Sequence, residues 1–286
     1  MNQSVELLTS GLYSTLQDSG RFGFRRLGVP QSGAMDPYSF AFANSLLNND
    51  TNCTAIEWFR TAPILLFHQN TIISLTGASG NAFLNEKPVL HYKSLRVREN
   101  DILRIQNVNY GNYGYIAIKN GFLTSKIMES TSQYKNITPK FRLHKGDFLS
   151  YTSVDYDQKR YTHIKPLFDA TDAALIVFPG PEFDQMSKAQ QKQLLTESWT
   201  LSPQQDRMAF VLREKLEHTL PQITSSPVLP GTVQLTPDGS LIVLMHDCQT
   251  TGGYPRVLQL TQRSVGRLSQ MRTGQSIRFR KIAIKL

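Results

Sequence analysis

Short runs of β-branched and aromatic residues, each bounded by turn formers, recur along the chain and predict a β-rich fold. The clearest are Thr71–Thr76 (TIISLT), Tyr115–Lys119 (YIAIK), Ala174–Phe178 (ALIVF), Ser240–Met245 (SLIVLM) and Ser276–Ile284 (SIRFRKIAI). The last alternates charge and hydrophobe through its first half, as a half-exposed strand does. Asn120-Gly121, Lys145-Gly146-Asp147, Asp238-Gly239 and Thr273-Gly274 supply turns, a rhythm that fits barrels or sandwiches built from hairpins. Helical signals are fewer. Asp36-Pro37 followed by YSFAFANSLLNN reads as an N-cap, a proline at the first helical position and an apolar face. Ser187–Glu197 opens with Ser187 and Gln190 at capping-box spacing. Two further helices are expected over Arg207–His218 and around Arg263–Met271. The polar stretch Tyr151–Lys165 is the best linker, dividing an N-terminal β-rich subdomain, 1–165, from a C-terminal one, 166–286.

Composition narrows the class. With 40% hydrophobic and 19% charged residues, the 286-residue chain is globular rather than disordered, and long enough for a sizeable core. No run of about eighteen apolar residues is present, so no membrane span is expected. The N-terminal MNQSVELLTSGLYS lacks the basic and apolar regions of a signal peptide. Two cysteines, Cys53 and Cys248, make no disulfide framework, so a soluble cytoplasmic protein with reduced thiols is the expectation. The net charge of +9 is concentrated. Residues 256–286 hold eight basic side chains and no acidic one. An exposed strand face accounts for this, and so does a surface that meets an anion or acidic partner. Basic residues interleaved with aromatics, the pattern of single-strand binders, are absent, so no nucleic-acid partner is expected.

Chemistry-bearing motifs are read mostly by elimination. No G-x-x-x-x-G-K-[ST] and no G-x-G-x-x-G after a strand is present, and a G-x-S-x-G nucleophile elbow is also missing. The six histidines are scattered without ligand spacing, and adjacent residues such as His246-Asp247-Cys248 would point to opposite faces of a strand, so no metal is expected. Polar residues in glycine-rich turns remain. Gln17-Asp18-Ser19-Gly20-Arg21 and Gln31-Ser32-Gly33-Ala34-Met35-Asp36 share one glycine-punctuated segment. Asp18 could pair with Arg21 or simply hold a turn, and Asp36 could act as an acid or base or simply cap the helix. Near the C-terminus, the apolar run LIVLM delivers His246 and Asp247 to the loop DCQTTGGYP. There Gln249, Thr250 and Thr251 offer donors and acceptors, and Gly252-Gly253 permits close backbone approach to a ligand.

QDSGRFGFRRLGVPQSGAMD, Ala43-Asn44, Glu57, Asp206-Arg207 and the block PGTVQLTPDGSLIVLMHDCQTTGGYP (Pro230–Pro255) resemble the allophanate hydrolase subunit 2 family. That family includes the C component of 5-oxoprolinase, the Kip-type partner of a kinase inhibitor, and half of the carboxyltransferase region of urea carboxylase. The resemblance covers essentially the whole chain. It implies a mainly β, β-rich α+β fold of two subdomains with cyclophilin-like β-barrel elements and a few short helices. It also implies action beside two partners, a Kip inhibitor-like B component and an A component. The resulting complex would use ATP to open a small amide substrate, 5-oxo-L-proline, to L-glutamate.

Carried over onto this sequence, the resemblance points to Asp36 and Asp247 as catalytic. It points to Asp18, Arg21, Gln31, Ser32, Asp206, Arg207, Gln249, Thr250, Thr251, Gly252, Gly253 and Tyr254 as substrate- or nucleotide-binding. Two other functions stay open: the carboxyltransferase component of a urea carboxylase/allophanate hydrolase-type system, and a non-catalytic regulatory partner of a kinase inhibitor. The chain departs from the family over Met128–Asp147, which keeps Ser130-Thr131 but loses most of the glycines, and at Ala209, where the family has glycine after D-R-M. A different substrate or a weakened activity would follow if that segment touches substrate.

Overall fold

A computed structural model describes residues 4–154 and 174–282. The chain forms two compact units, Met1–Arg21 with Ser32–Leu167 and Phe22–Gln31 with Phe168–Leu286. The ten residues 22–31 therefore belong with the second unit, although the linear division at 165 placed them with the first.

The first unit contains β1 (Ser4–Thr9), β2 (Tyr13–Gln17), α1 (Pro37–Ser45), β3 (Ala55–Phe59), β4 (Ile64–Phe67) and β5 (Thr71–Leu84). It continues with β6 (Lys87–Val89), β7 (Ser94–Val97), β8 (Ile102–Ile118) and β9 (Phe148–Ser150). The nine strands form one sheet, with the order β2-β3-β8-β4-β1-β9 and β5 paired to β6, β7 and β8. The predicted runs at 71–76 and 115–119 are the start of β5 and the end of β8, which pair antiparallel, Ile73 opposite Ile118 and Leu75 opposite Ile116.

Strand alternation assigns the two faces of β8. Ile116 and Ile118 enter a core with Val5, Leu7, Trp58, Leu65 and Phe67. Tyr115 and Ala117 face the other way and pack with Phe40, Ala43 and Leu47 of the α1 region. Tyr151, at the start of the expected linker, is instead fully buried and hydrogen-bonds through its hydroxyl to Gln69. The rest of that linker, from 155 onward, lies outside the described residues.

The second unit contains β10 (Ala174–Pro179), α2 (Lys188–Thr196), β11 (Trp199–Gln205), β12 (Ala209–Lys215), β13 (Ser226–Pro227) and β14 (Thr232–Leu235). After these come β15 (Ser240–Leu244), β16 (Thr251–Gly252), β17 (Arg256–Leu260), α3 (Gln262–Ser269) and β18 (Ser276–Lys281). Seven of the strands close a barrel, β10-β17-β14-β15-β12-β11-β18. β18 completes it by pairing parallel with β10 and antiparallel with β11. Val233, Leu235, Leu241, Val243, Phe210 and Leu258 are fully buried, and their register partners share one face of the sheet.

The expected helix over Arg207–His218 is not formed. Residues 209–215 are strand β12. Phe210 and Leu212 alternate with Val211 and Arg213, and pairing on both sides to β11 and β15 overrides the charged helix-former tail REK. The other helices match expectation: α1 is capped by Asp36, α2 has the capping box of Ser187 and Gln190, and α3 begins after Thr261. Arg278 and Arg280 are exposed beside buried Ile277 and Phe279, so the part of the basic C-terminal run on β18 is an exposed strand face. The mainly β expectation holds. No described helix is long and apolar enough to cross a membrane.

Gly114 of β8 tests the packing. A Cβ there would lie 2.1 Å from the Trp58 ring, at a backbone geometry that alanine otherwise tolerates. Gly114→Ala should destabilise the protein by about 1–3 kcal/mol through overpacking, read as a lower urea midpoint with an unchanged slope. An unaltered midpoint would contradict the Trp58 contact.

Candidate functional site

The residues marked by their chemistry fall in both units. In the first, β2 ends at Gln17 and delivers Asp18 into the interior, 1% exposed. Its Oδ1 accepts from Gly20 N at 2.8 Å, Ser130 Oγ at 2.7 Å and Ser132 Oγ at 2.7 Å. Its Oδ2 accepts from Thr131 N at 2.7 Å and Thr131 Oγ1 at 3.2 Å. Burial pushes this carboxyl up, but the donors from Ser132, Ser130, Thr131 and Gly20 outweigh it and hold it below its ordinary value. Arg21, also fully buried, donates to the main-chain carbonyls of Ile127 and Ser132. Asp18 and Arg21 thus both staple the segment 127–132 to the end of β2. Ser130-Thr131, the pair kept in the otherwise diverged segment, is what the aspartate grips.

The QSGAMD turn lies alongside. Ala34 N donates to Asp18 O at 3.1 Å, Ser32 is buried at φ 55°, and Gln31 is half-buried. At Gly33, with φ 92°, a Cβ would meet Ser19 O at 2.8 Å, so both conformation and space require glycine. Asp36 caps α1, accepting from Tyr38 N and Ser39 N at 3.1 Å and from Ser39 Oγ at 2.6 Å. Its own N–H donates to Tyr115 Oη at 2.7 Å, and that hydroxyl donates to Glu57 Oε2 at 2.8 Å. Burial, with the charges of Glu57 and Asp36, drives the Tyr115 hydroxyl well above its usual range. A cavity of about 290 Å³ in this unit is walled in part by Leu16, Ile127, Thr131, Thr138, Lys140 and Phe148, so the diverged segment supplies much of its lining.

In the second unit the loop after β15 is held by a buried ion pair. Arg207 Nε donates to Asp247 Oδ2 at 2.7 Å and Arg207 Nη2 to Asp247 Oδ1 at 3.0 Å, with the two residues 7% and 8% exposed. Asp247 N also donates to Arg207 O at 2.8 Å. Asp206 serves the adjoining turn, accepting from Met208 N and Ala209 N. Beyond the pair, Thr250 O accepts from Val228 N, Thr251 and Gly252 form β16 against β13, and Tyr254 is exposed.

Arg25, Gln234, Glu182 and Arg256 join this loop without having been singled out in the sequence. Arg25 starts a short 3-10 turn, Arg25–Leu27, which ends at Gly28 with φ 76°. Its guanidinium bonds Val228 O, and Gln249 O at 3.1 Å. Gln249 Nε2 donates to Gln234 Oε1 at 3.4 Å. Arg256 clamps Glu182 in a bidentate pair and also donates to Pro227 O, fixing β13. Burial raises the Cys248 thiol to about 11 against the opposing pull of Arg25, so the thiol stays protonated. Among the described residues no group of three or more His, Cys, Asp or Glu is placed to hold a metal ion.

The model of the carboxyltransferase domain, subdomain A and B, matches residues 27–281, and the chain belongs to that family. It is 32% identical to the C component of 5-oxoprolinase from Haemophilus influenzae over 98% of this chain and 92% of that protein. It is 38% identical to the urea amidolyase of Lachancea kluyveri over 46% of this chain and 7% of that protein. Among solved structures it resembles TTHA0988, with a TM-score of 0.86 and 25% identity over 97% of this chain, and it spans 55% of the solved chain. Relatives therefore belong to enzyme systems, as one component of an assembly or as one part of a longer chain.

Two stability measurements test the buried groups. Asp18→Asn should cost about 3 kcal/mol in urea denaturation at neutral pH, the order expected for hydrogen bonds to a charged acceptor. The folded carboxyl lies below the unfolded value near 3.8, so its contribution is complete above that pH and is lost as pH falls through the folded value. The difference between wild type and variant should therefore narrow below about pH 4; a difference that widens with acid would contradict the clamp. Asp247→Ala strands a buried guanidinium and should cost about 3–5 kcal/mol, most of it recovered in Arg207→Met/Asp247→Leu. A double variant as unstable as the single would refute the pair's structural role.

Proposed function

We propose that this chain is the C component of an ATP-dependent 5-oxoprolinase that opens 5-oxo-L-proline to L-glutamate together with the A and B components. The observation that supports it is the 32% identity to a 5-oxoprolinase C component over 98% of this chain and 92% of that protein, whereas the urea amidolyase is matched over only 7% of its own length. Opening an unstrained lactam is uphill without help, and coupling to ATP supplies the driving force: with the amide oxygen phosphorylated, water adds to the carbonyl carbon, the C–N bond breaks as the nitrogen takes a proton, and a second water releases phosphate from the acyl phosphate.

The usual seat for a phosphate, a helix N-terminus, is filled at α1 by the Asp36 carboxylate. In this reading ATP is held by a partner protein or at a shared surface. The DCQTTGGYP loop, fixed by Arg207 and Asp247, forms one wall of the amide site, and Asp247 is its candidate acid or base. Asp36 contributes by ordering α1 over the sheet.

The family model favours a second reading, carboxyl transfer to a urea-like amide as part of a urea carboxylase-type system. Substrate choice separates the two. Reconstituted with the A and B components, the chain should support ATP-dependent glutamate release from 5-oxoproline and leave urea untouched. Turnover of urea in the presence of a biotin carboxylase and carrier, with none of 5-oxoproline, would replace the proposal with the second reading.

A further inference from the structure

Strand alternation turns Val233 and Leu235 of β14 into the barrel, so Gln234 lies on the outer face opposite Ile242 of β15. An outward glutamine is ordinarily solvated, yet Gln234 is only 2% exposed. The β13–β16 ribbon covers it. A Cβ at Gly252 would come within 2.4 Å of Gln234 Nε2, so the ribbon lies directly against the carboxamide. Beneath the ribbon Gln234 and Gln249 share one hydrogen bond. The remaining Gln234 Nε2 and Gln249 Oε1 are buried without a hydrogen-bond partner. Turning both carboxamides end for end only exchanges which glutamine offers which group; one donor and one acceptor remain open either way. Buried amide groups are almost always paired, and leaving two open costs roughly 1–3 kcal/mol each.

One open donor and one open acceptor on two carboxamides joined by a hydrogen bond match in kind the carbonyl and N–H of a planar group. The guanidinium of Arg25, bonded to the main-chain carbonyl of Gln249, adds positive charge beside them and favours an electron-rich carbonyl oxygen. We propose that Gln234 and Gln249, beneath the Gly252-Gly253 ribbon, form a binding site for a planar amide or lactam. The carbonyl of the ligand accepts from one glutamine and its N–H donates to the other. Both open atoms are sealed from solvent, so entry requires the ribbon to lift. Its ladder is two residue pairs long, Ser226 with Gly252 and Pro227 with Thr251, so lifting it breaks that short ladder together with the bonds from Val228 N to Thr250 O, from Ile223 N to Gly253 O and from Arg256 to Pro227 O. The choice of a lactam among planar amides rests on the function proposed above; the open donor and acceptor do not.

The test uses the full chain with labelled glutamine side chains, titrated with 2-pyrrolidinone and with N-methyl-2-pyrrolidinone, and followed by the side-chain amide resonances of Gln234 and Gln249. The lactam should shift both resonances saturably. The N-methyl compound, which lacks the N–H, should bind about tenfold more weakly or worse, the effect of one lost buried hydrogen bond. Gln234→Glu, which replaces the open donor by an acceptor, should lose the response. Equal binding of the two compounds, no saturable shift, or a crystal structure in lactam in which a water alone bridges the two glutamines would overturn the site. Lactam binding in a chain whose reconstituted complex does not turn over 5-oxoproline would keep the site and remove the proposed function. An active complex with no lactam at Gln234 would do the reverse.

Discussion

Closure of the second unit's sheet by β18 is the constraint on which the polar architecture depends. Once β18 pairs with both β10 and β11, the inward face has no edge and no solvent, and apolar side chains fill it. Polar side chains of the same strands are turned outward. There the 22–31 turn, the β13–β16 ribbon and the DCQTTGGYP loop form a second layer over the wall. Buried polar groups in that layer must find partners within it. Arg207 and Asp247 do so as a bidentate pair, Glu182 and Arg256 do so likewise, and Gln234 and Gln249 do so only in part.

The first unit meets a similar demand differently. Its buried charged groups are spent inside the fold: Asp18 on Ser130, Thr131 and Ser132, Arg21 on main-chain carbonyls, Asp36 on its helix, Glu57 on Tyr115 and Met35. Residues that the family resemblance marks as catalytic or binding are here also a set of clamps. This accounts for the retention of Ser130-Thr131 in a segment whose glycines are gone, since the two residues hold a buried carboxylate and not merely a loop.

What was legible in the sequence was local. The Asp36 cap, the Ser187–Gln190 box and the paired runs in β5 and β8 rest on residues a few positions apart or on a simple period of two. The error at Arg207–His218 arose because REK at the end of β12 favours a helix, while the decisive hydrogen bonds come from β11 and β15. The Arg25 contacts were illegible for the same physical reason, since they span 203 and 224 residues of sequence. Nothing local marks Gln234 either. Its role comes from facing outward beneath a glycine ribbon contributed by a distant loop.

The central claim is that the loop fixed by Arg207 and Asp247 belongs to an enzyme assembled from several different chains. It is tested most directly by measuring ATP-dependent glutamate formation from 5-oxoproline by the two partner proteins with and without this chain. The account predicts turnover only when the chain is present, in proportion to its amount up to stoichiometric saturation. Equal turnover in its absence would contradict it and leave the chain a regulatory partner.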